Sequence, residues 1–448
     1  MTAQAARTGG DWLDHWDPED EAFWESRGKR IAWRTLWITT ANLMMAFATW
    51  FVVSALVVRL PNVGFDLTTS QLFWLAAMPG LAGGTLRIVH TFLTPLFGTR
   101  KVVSYSSMLL LVPLIGLFVA VQDPATPFWV LMLLAFLAGL GGGNFSSFMP
   151  STSLFFPKRL QGTALGLQAG IGNFGVSLVQ FVTPWIIGFA AFGALAGDPL
   201  TLTSDGTSSD IWLQNATAVW IPIVAVLSVA SWFLLRSVPV RANVREQMDI
   251  FRNPHTWWMT SLYMMTFGSF SGLAAAFPLL IREVYGAFEA APDPLKFAFL
   301  GPLVGSVARV MAGPVSDRVG GGKVTHVAGI GMLGSTVGLL FFLRPDSLDE
   351  FPMFVGMMLA LFFFAGVGNA STFKQMPMIF PPRQAGGVIG WTAAIAAYGP
   401  FLFSSVIGVV IATTGSPVGF FIGIAVFFAL NIAINWWFYA RKGAALPC

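Results

Sequence analysis

Cysteine occurs once in the 448 residues, at Cys448. One thiol excludes an intramolecular disulfide, and with histidines scattered at 15, 90, 255 and 326 it leaves no Cys/His metal cluster. Charge is also scarce. Only 10% of the residues are Asp, Glu, Lys or Arg, against about 25% in a soluble domain. The 21 acidic residues read as lying outside the long apolar runs. They occupy the N-terminal tail and the loops, at Asp198, Asp205, Asp210, Glu289, Asp293, Asp346 and Glu350, with Asp317 at a helix end. The first 33 residues lack an apolar run and carry "DWLDHWDPEDEAFWESRGKR". This is no pattern for a cleavable signal peptide, so the first span is expected to direct insertion itself, and the acidic stretch 11–25 reads as a solvated face or as a partner site. Ten-residue alternating strands, the signature of a membrane barrel, are absent too.

What fills the chain is apolar, 55% of its residues. Runs of about 20 such residues suit helices crossing a hydrocarbon core ~30 Å thick. Twelve are expected, near 34–58, 71–97, 102–121, 127–150, 162–191, 211–235, 255–282, 297–315, 323–343, 351–373, 385–413 and 417–440. Sorted by side, one face takes Arg27, Lys29, Arg30, Arg34, Arg100, Lys101, Lys158, Arg159, Arg236, Arg241, Arg245, Arg252, Arg318, Lys323, Arg383, Arg441 and Lys442. The other takes Arg59, Arg282, Lys296 and Arg344. An even number of spans with both termini on the basic side fits the positive-inside rule and predicts cytoplasmic termini. The net charge of +4 thus records topology, and nucleic acid is discarded as a partner.

The chain is doubled. "GGGNFSSFMPSTSLFFPKRLQG" (141–162) and "GVGNASTFKQMPMIFPPRQAG" (366–386) share Gly-x-Gly-Asn, small hydroxyl residues, then Phe-Pro, a basic residue and Gly. Asn144 maps onto Asn369, half a chain away. The expected fold is an all-α membrane protein, with twelve transmembrane helices in two pseudo-symmetric six-helix halves. Its units are a tail 1–33, a half 34–236, a linker 237–254, a half 255–441 and a C-terminus 442–448.

At nearly the same offset, Arg87 in "QLFWLAAMPGLAGGTLRIVHTFLTPLFG" corresponds to Arg309 in "FLGPLVGSVARVMAGPVSDRVGGGK". A charge at bilayer depth costs ~2.5–3.5 kcal/mol even on the lenient scale, so an intramembrane arginine is a functional hypothesis by default. Either arginine alone could snorkel or bond backbone carbonyls. A repeat-related pair with no carboxylate at its depth implies an anion, and the planar guanidinium fork suits a planar oxyanion.

Other features are weaker. Asn173 lies in "GLQAGIGNFGVSLVQFVTP" (166–184). It must be hydrogen-bonded, either to an anion or to another helix, and its glycine neighbours let helices approach closely. His90 follows Arg87 by about one turn. It either relays a proton or stays neutral, and a neighbouring arginine favours the neutral form. Tyr263 and Phe267 share a helix face, which serves packing or sandwiches a flat anion. Lys374 reads as a snorkelling end residue. "GPVSDRVGGGK" (313–323), with Gly313, Asp317 and Arg318, reads as a tight turn tied to conformational switching, in which Asp317 caps or pairs with a helix end.

These residues, in this order, resemble the nitrate/nitrite porter family (NarK type) of the major facilitator superfamily, over nearly the whole chain. "GPVSDRVGGGK" is similar to the superfamily's loop motif, whose first-half counterpart "TPLFGTRKV" lacks the Asp. "GIGNFGVSLVQ" is similar to the family's glycine-rich signature. In the eleventh span, "AAIAAYGPFLFSS" keeps Gly399 but has Ala396 and Pro400 at usual glycine positions. Ala370 departs likewise.

The resemblance implies Arg87 and Arg309 as substrate arginines and Asn173 as an amide donor. It places Tyr263, Phe267 and Phe145 as lining residues, with Gly170 and Gly172 flanking them. It implies exchange of nitrate for nitrite by alternating access in the cytoplasmic membrane, by a monomer with no cofactor and no catalytic or metal site. The competing expectations are proton-coupled symport, with His90 as the proton-linked group, and transport of another small anion. No nucleophile–base pair points to an enzyme.

Overall fold

The computed structural model describes residues 11–193, 197–204, 207–238, 248–444 and 446–448. Asp205, Arg241, Arg245 and half of the expected linker lie outside them. Among the described residues, twelve helices are long and apolar enough to cross a membrane. They are α1 (Glu21–Leu56), α2 (Thr69–Phe97), α3 (Thr99–Ala120), α4 (Phe128–Ser153), α5 (Lys158–Ile186), α6 (Asn215–Leu234), α7 (Pro254–Tyr285), α8 (Pro294–Val319), α9 (Gly321–Phe342), α10 (Leu348–Ile379), α11 (Gln384–Thr414) and α12 (Val418–Ala440). The expected two-half helical membrane fold is present.

Proline and glycine decide where the helices break. Pro113 has no N–H for the carbonyl one turn back, and α3 is interrupted at Leu110. Pro400 stands in the first turn of the second segment of α11, which restarts at Gly399 after a break at 397–398. The glycine-rich stretch of α4 is interrupted at Gly139 and Asn144. In α7, residues Met264–Gly268 widen into a π-turn, a form frequent at functional sites.

Several helices outlast their apolar runs, which corrects the expectation that acids avoid them. Asp20 caps α1, which therefore begins at Glu21. Glu283 lies in the last turn of α7 and accepts from Thr69 Oγ1 at 3.2 Å. The segment 313–323 is likewise no extended turn. α8 stays helical through Val319, and the reversal needs only Gly320 at φ +103° before α9 starts at Gly321. Between α5 and α6 the chain forms a small antiparallel hairpin, β1 (Leu200–Ser204) and β2 (Thr207–Ile211), which apolar periodicity could not reveal.

α1 and α7 are the enclosed helices. Of the apolar window of α7, 94% is buried, against 28% for α6 at the lipid face. Missing side chains let backbones touch. A Cβ at Gly141 of α4 or Gly175 of α5 would strike an α1 carbonyl, at Ala46 or Met44 respectively. A Cβ at Gly366 of α10 would strike the Gly305 carbonyl of α8, and one at Gly399 of α11 the Gly268 carbonyl of α7. On the side opposite the termini the halves are tied by Arg59, which donates to both carboxylate oxygens of Asp293 at 2.8 and 2.7 Å. Deeper in, Gln180 Nε2 donates to Ala274 O at 2.9 Å.

The acidic tail is not a free, solvated face. Trp16, Trp24, Phe155, Phe156 and Trp33 form an apolar cluster beneath α4 and α5. Glu19 accepts from the Lys158 N–H at 2.8 Å, at the start of α5, where a carboxylate complements the helix dipole. Leu13 pairs with Ser237 at the end of α6.

Candidate functional site

Arg87 projects from the middle of α2 and is fully buried. Its Nε donates to Gly142 O at 2.9 Å, where the α4 break frees a carbonyl. Its Nη1 donates to Ala393 O of α11 at 2.8 Å, so this arginine bridges the halves. Its Nη2 is buried without a partner. Phe145, Phe267 and Trp50 surround the guanidinium, with ring centroids 4.6, 5.2 and 5.4 Å from Cζ. Such cation–π contacts contribute ~0.5–2 kcal/mol each. They stabilise the cation without neutralising it.

Arg309, on α8, is buried beside Phe373 of α10, whose ring centroid lies 5.8 Å from Cζ. Its Nη1 also has no partner. Tyr263 brings the two arginines into one site, since its ring packs on Phe267, which flanks Arg87, and lies 5.4 Å from Phe373, which flanks Arg309. The Tyr263 ring stacks on Phe267 at 5.5 Å and 11°, across the π-turn of α7. Its hydroxyl is buried against the Arg309 guanidinium, without a hydrogen bond of full geometry. Asn173 is fully buried with both amide atoms unpartnered. A buried polar group without a partner costs ~1–3 kcal/mol, and a charged one more. The arginine nitrogens and the Tyr263 hydroxyl thus form one cluster of donors without an anionic partner among the described residues, and Asn173 of α5 adds a buried amide with both its donor and its acceptor open. None of the ion pairs among the described residues involves either arginine.

The other expected residues divide. A Cβ at Gly170 would meet Val310 of α8, and one at Gly172 would meet Leu43 of α1, so both positions serve close helix packing. His90 Nδ1 lies 2.9 Å from Ser147 Oγ of α4, a contact within the first half. Asp317 pairs with Lys374 of α10 at 2.5 Å. This favours pairing over capping and corrects the reading of Lys374 as a snorkelling residue. Gly313 lies inside α8 and Arg318 is exposed in its last turn. No group of three His, Cys, Asp or Glu that could hold a metal occurs among the described residues.

Trp50, Phe373 and the carbonyls of Gly142 and Ala393 were not foreseen. Phe373 had a signal, standing one turn beyond Asn369 of the repeat. Trp50 had none, because its indole is positioned by Pro79 O, 29 residues away, at 2.8 Å. Asn144 and Asn369 are both buried with all their amide atoms unpartnered.

Twelve helices in two halves around a buried basic centre define a major facilitator. Residues 38–348 match the Major Facilitator Superfamily. The crystal structure of a bacterial homolog of the human lysosomal transporter Spinster has the same fold. Its TM-score is 0.67 at 14% identity, with 90% of this chain and 95% of that one covered. Nearer in sequence are the probable nitrate/nitrite antiporter NarK2 of Thermus thermophilus, 67% identical over 98% of this chain and 99% of the relative, and the nitrate/nitrite transporter NarU of Salmonella typhimurium, 38% identical over 99% of each. The chain belongs to the nitrate/nitrite porter family of this superfamily.

Proposed function

We propose that this chain exchanges nitrate for nitrite across the cytoplasmic membrane, holding the anion between Arg87 and Arg309. The supporting observation is the pair of buried guanidinium groups, each with an unpartnered nitrogen. The open Nη2 of Arg87 and Nη1 of Arg309, the Tyr263 hydroxyl and the Asn173 amide donate to the anion's oxygens. Phe145 and Phe267 flank its plane, with Gly170 and Gly172 beside it. The halves, 34–236 and 255–441, rock about this point and are joined by 237–254. Both termini face the cytoplasm. The chain acts as a monomer, as a transporter and not an enzyme, and takes no nucleic acid as partner.

Exchange follows from charge. Without an anion, two like charges share a low-dielectric site, which opposes closure of the halves around it. Either substrate anion relieves that repulsion, so the loaded carrier crosses and the unloaded one does not. Opening toward the outside must part Arg59 from Asp293; the end of α8 that carries Gly313, Asp317 and Arg318 reorganises on the other side.

The test is nitrate uptake into proteoliposomes with and without internal nitrite, at equal pH and under an imposed proton gradient. Uptake that requires internal nitrite is expected. Gradient-driven uptake into empty vesicles, abolished by His90→Gln, would overturn exchange in favour of proton symport. Competition by acetate or phosphate equal to that by nitrite would overturn the substrate class.

A further inference from the structure

A groove of about 230 Å³ runs between α3 and α6 on the lipid face, lined by Ser104, Tyr105, Met108, Val229, Trp232 and Phe233. Its apolar walls are open to the membrane, with Tyr105, Met108, Val229 and Phe233 all exposed by half or more. Two features set it apart from ordinary lipid-facing surface. Ser104 is 4% exposed, and its hydroxyl is buried without a partner. One turn nearer the end of α3 stands Arg100, its guanidinium stacked 4.4 Å from the Trp232 ring centroid and its Nε buried and unpartnered. No carboxylate pairs with Arg100 in the ion pairs of the described residues. Asp11, at this rim, accepts from Ser237 Oγ instead.

We propose that this groove binds one anionic phospholipid, with its phosphate on Arg100, an ester carbonyl accepting from Ser104 and an acyl chain between α3 and α6. The spacing suits that order, because one helical turn is ~5.4 Å and the glycerol esters lie just beneath the phosphate. The surrounding charge suits the headgroup. Lys101 adjoins Arg100, and Arg34 lies close enough to Arg236 and Arg30 to feel their charge. Basic pockets between helices on the cytoplasmic side recognise anionic headgroups. Arg441 at the end of α12 provides an internal contrast. It too lies over a tryptophan, Trp437 at 4.0 Å, but its Nε is satisfied by Trp437 O at 2.9 Å.

The experiment is native mass spectrometry of the full chain titrated with dioleoyl phosphatidylglycerol or dioleoyl phosphatidylcholine. The unaltered chain is expected to retain one phosphatidylglycerol in preference to phosphatidylcholine. Arg100→Gln should weaken that retention about fivefold, the worth of one basic residue near an anionic headgroup. Arg100→Lys should keep most of it. Ser228 of α6 also lines the groove, and Ser228→Trp, which fills it without changing charge, should weaken retention as well, while Arg441→Gln should not. Equal retention of the two lipids by the unaltered chain would overturn the proposal. So would phosphatidylglycerol retention unchanged in both Arg100→Gln and Ser228→Trp.

Discussion

The two halves repeat one plan and use it differently. In the first, Arg87 is fastened by the Gly142 and Ala393 carbonyls and ringed by three aromatic side chains. In the second, Arg309 meets one ring, Phe373, and no carbonyl among the described residues accepts from it. At the basic end the contrast reverses. The second half joins α8 to α10 through Asp317 and Lys374. The first half has no acid in the matching loop and is strapped by its acidic tail through Glu19 and Trp16. Duplication therefore conserved the position of the charge, while the means of holding each half rigid diverged. Arg87 is a bolt between the halves as well as a buried charge; Arg309 has no such carbonyl contact among the described residues.

Lysine substitution gives the largest expected effect and divides these roles. Arg87→Lys and Arg309→Lys should each reduce nitrate/nitrite exchange by roughly 30-fold or more, since losing a buried charged contact costs ~2–5 kcal/mol and lysine lacks the planar fork. Thermal unfolding should then separate them, with Tm lowered by Arg87→Lys and nearly unchanged by Arg309→Lys. The reverse order of Tm values would break the comparison.

Next come the repeat-related glycines. Gly141→Ala drives a methyl into the α1 backbone and Gly366→Ala drives one into α8. Each should destabilise by ~1–3 kcal/mol, the range for overpacking, read as lowered Tm of the purified protein. A tolerated alanine at either site would mean that half can separate its helices there.

Tyr263→Phe sharpens the second half. It removes a buried hydroxyl that lies against Arg309 without a hydrogen bond of full geometry. Exchange should show a KM for nitrate raised by about tenfold, the worth of one hydrogen bond to a charged group, with Tm unchanged or slightly higher. A falling Tm with an unchanged KM would make the hydroxyl structural. The smallest effect belongs to Asp317 and Lys374, which are 59% and 42% exposed. A double-mutant cycle with Asp317→Asn and Lys374→Gln should give a coupling below ~1 kcal/mol.

Much of this was legible in the chain. Arg87 and Arg309 stand out because a guanidinium among apolar residues violates the transfer preference of its surroundings, and each gains force from matching the other across the repeat. Phe145, Tyr263 and Asn173 followed from the family resemblance, and all three are buried. The tail was less legible. Its run of acids reads as a solvated face, yet its tryptophans and Leu13 are what dock it, and apolar residues at irregular spacing carry no helical signal. Lys374 was misread because its partner, Asp317, is distant in sequence.

The sequence by itself determined the membrane class, the number of spans, the doubling and the two charges at depth. Each of these is a transfer free energy or a local pattern written residue by residue. Only the tertiary structure decided that Arg87 reaches Ala393 across 306 residues, that Trp50 and Phe373 complete the site, and that the tail straps the first half. Those outcomes depend on which backbones can touch where glycine removes a side chain. Close approach between distant segments is a property of the packed chain, invisible at any single position.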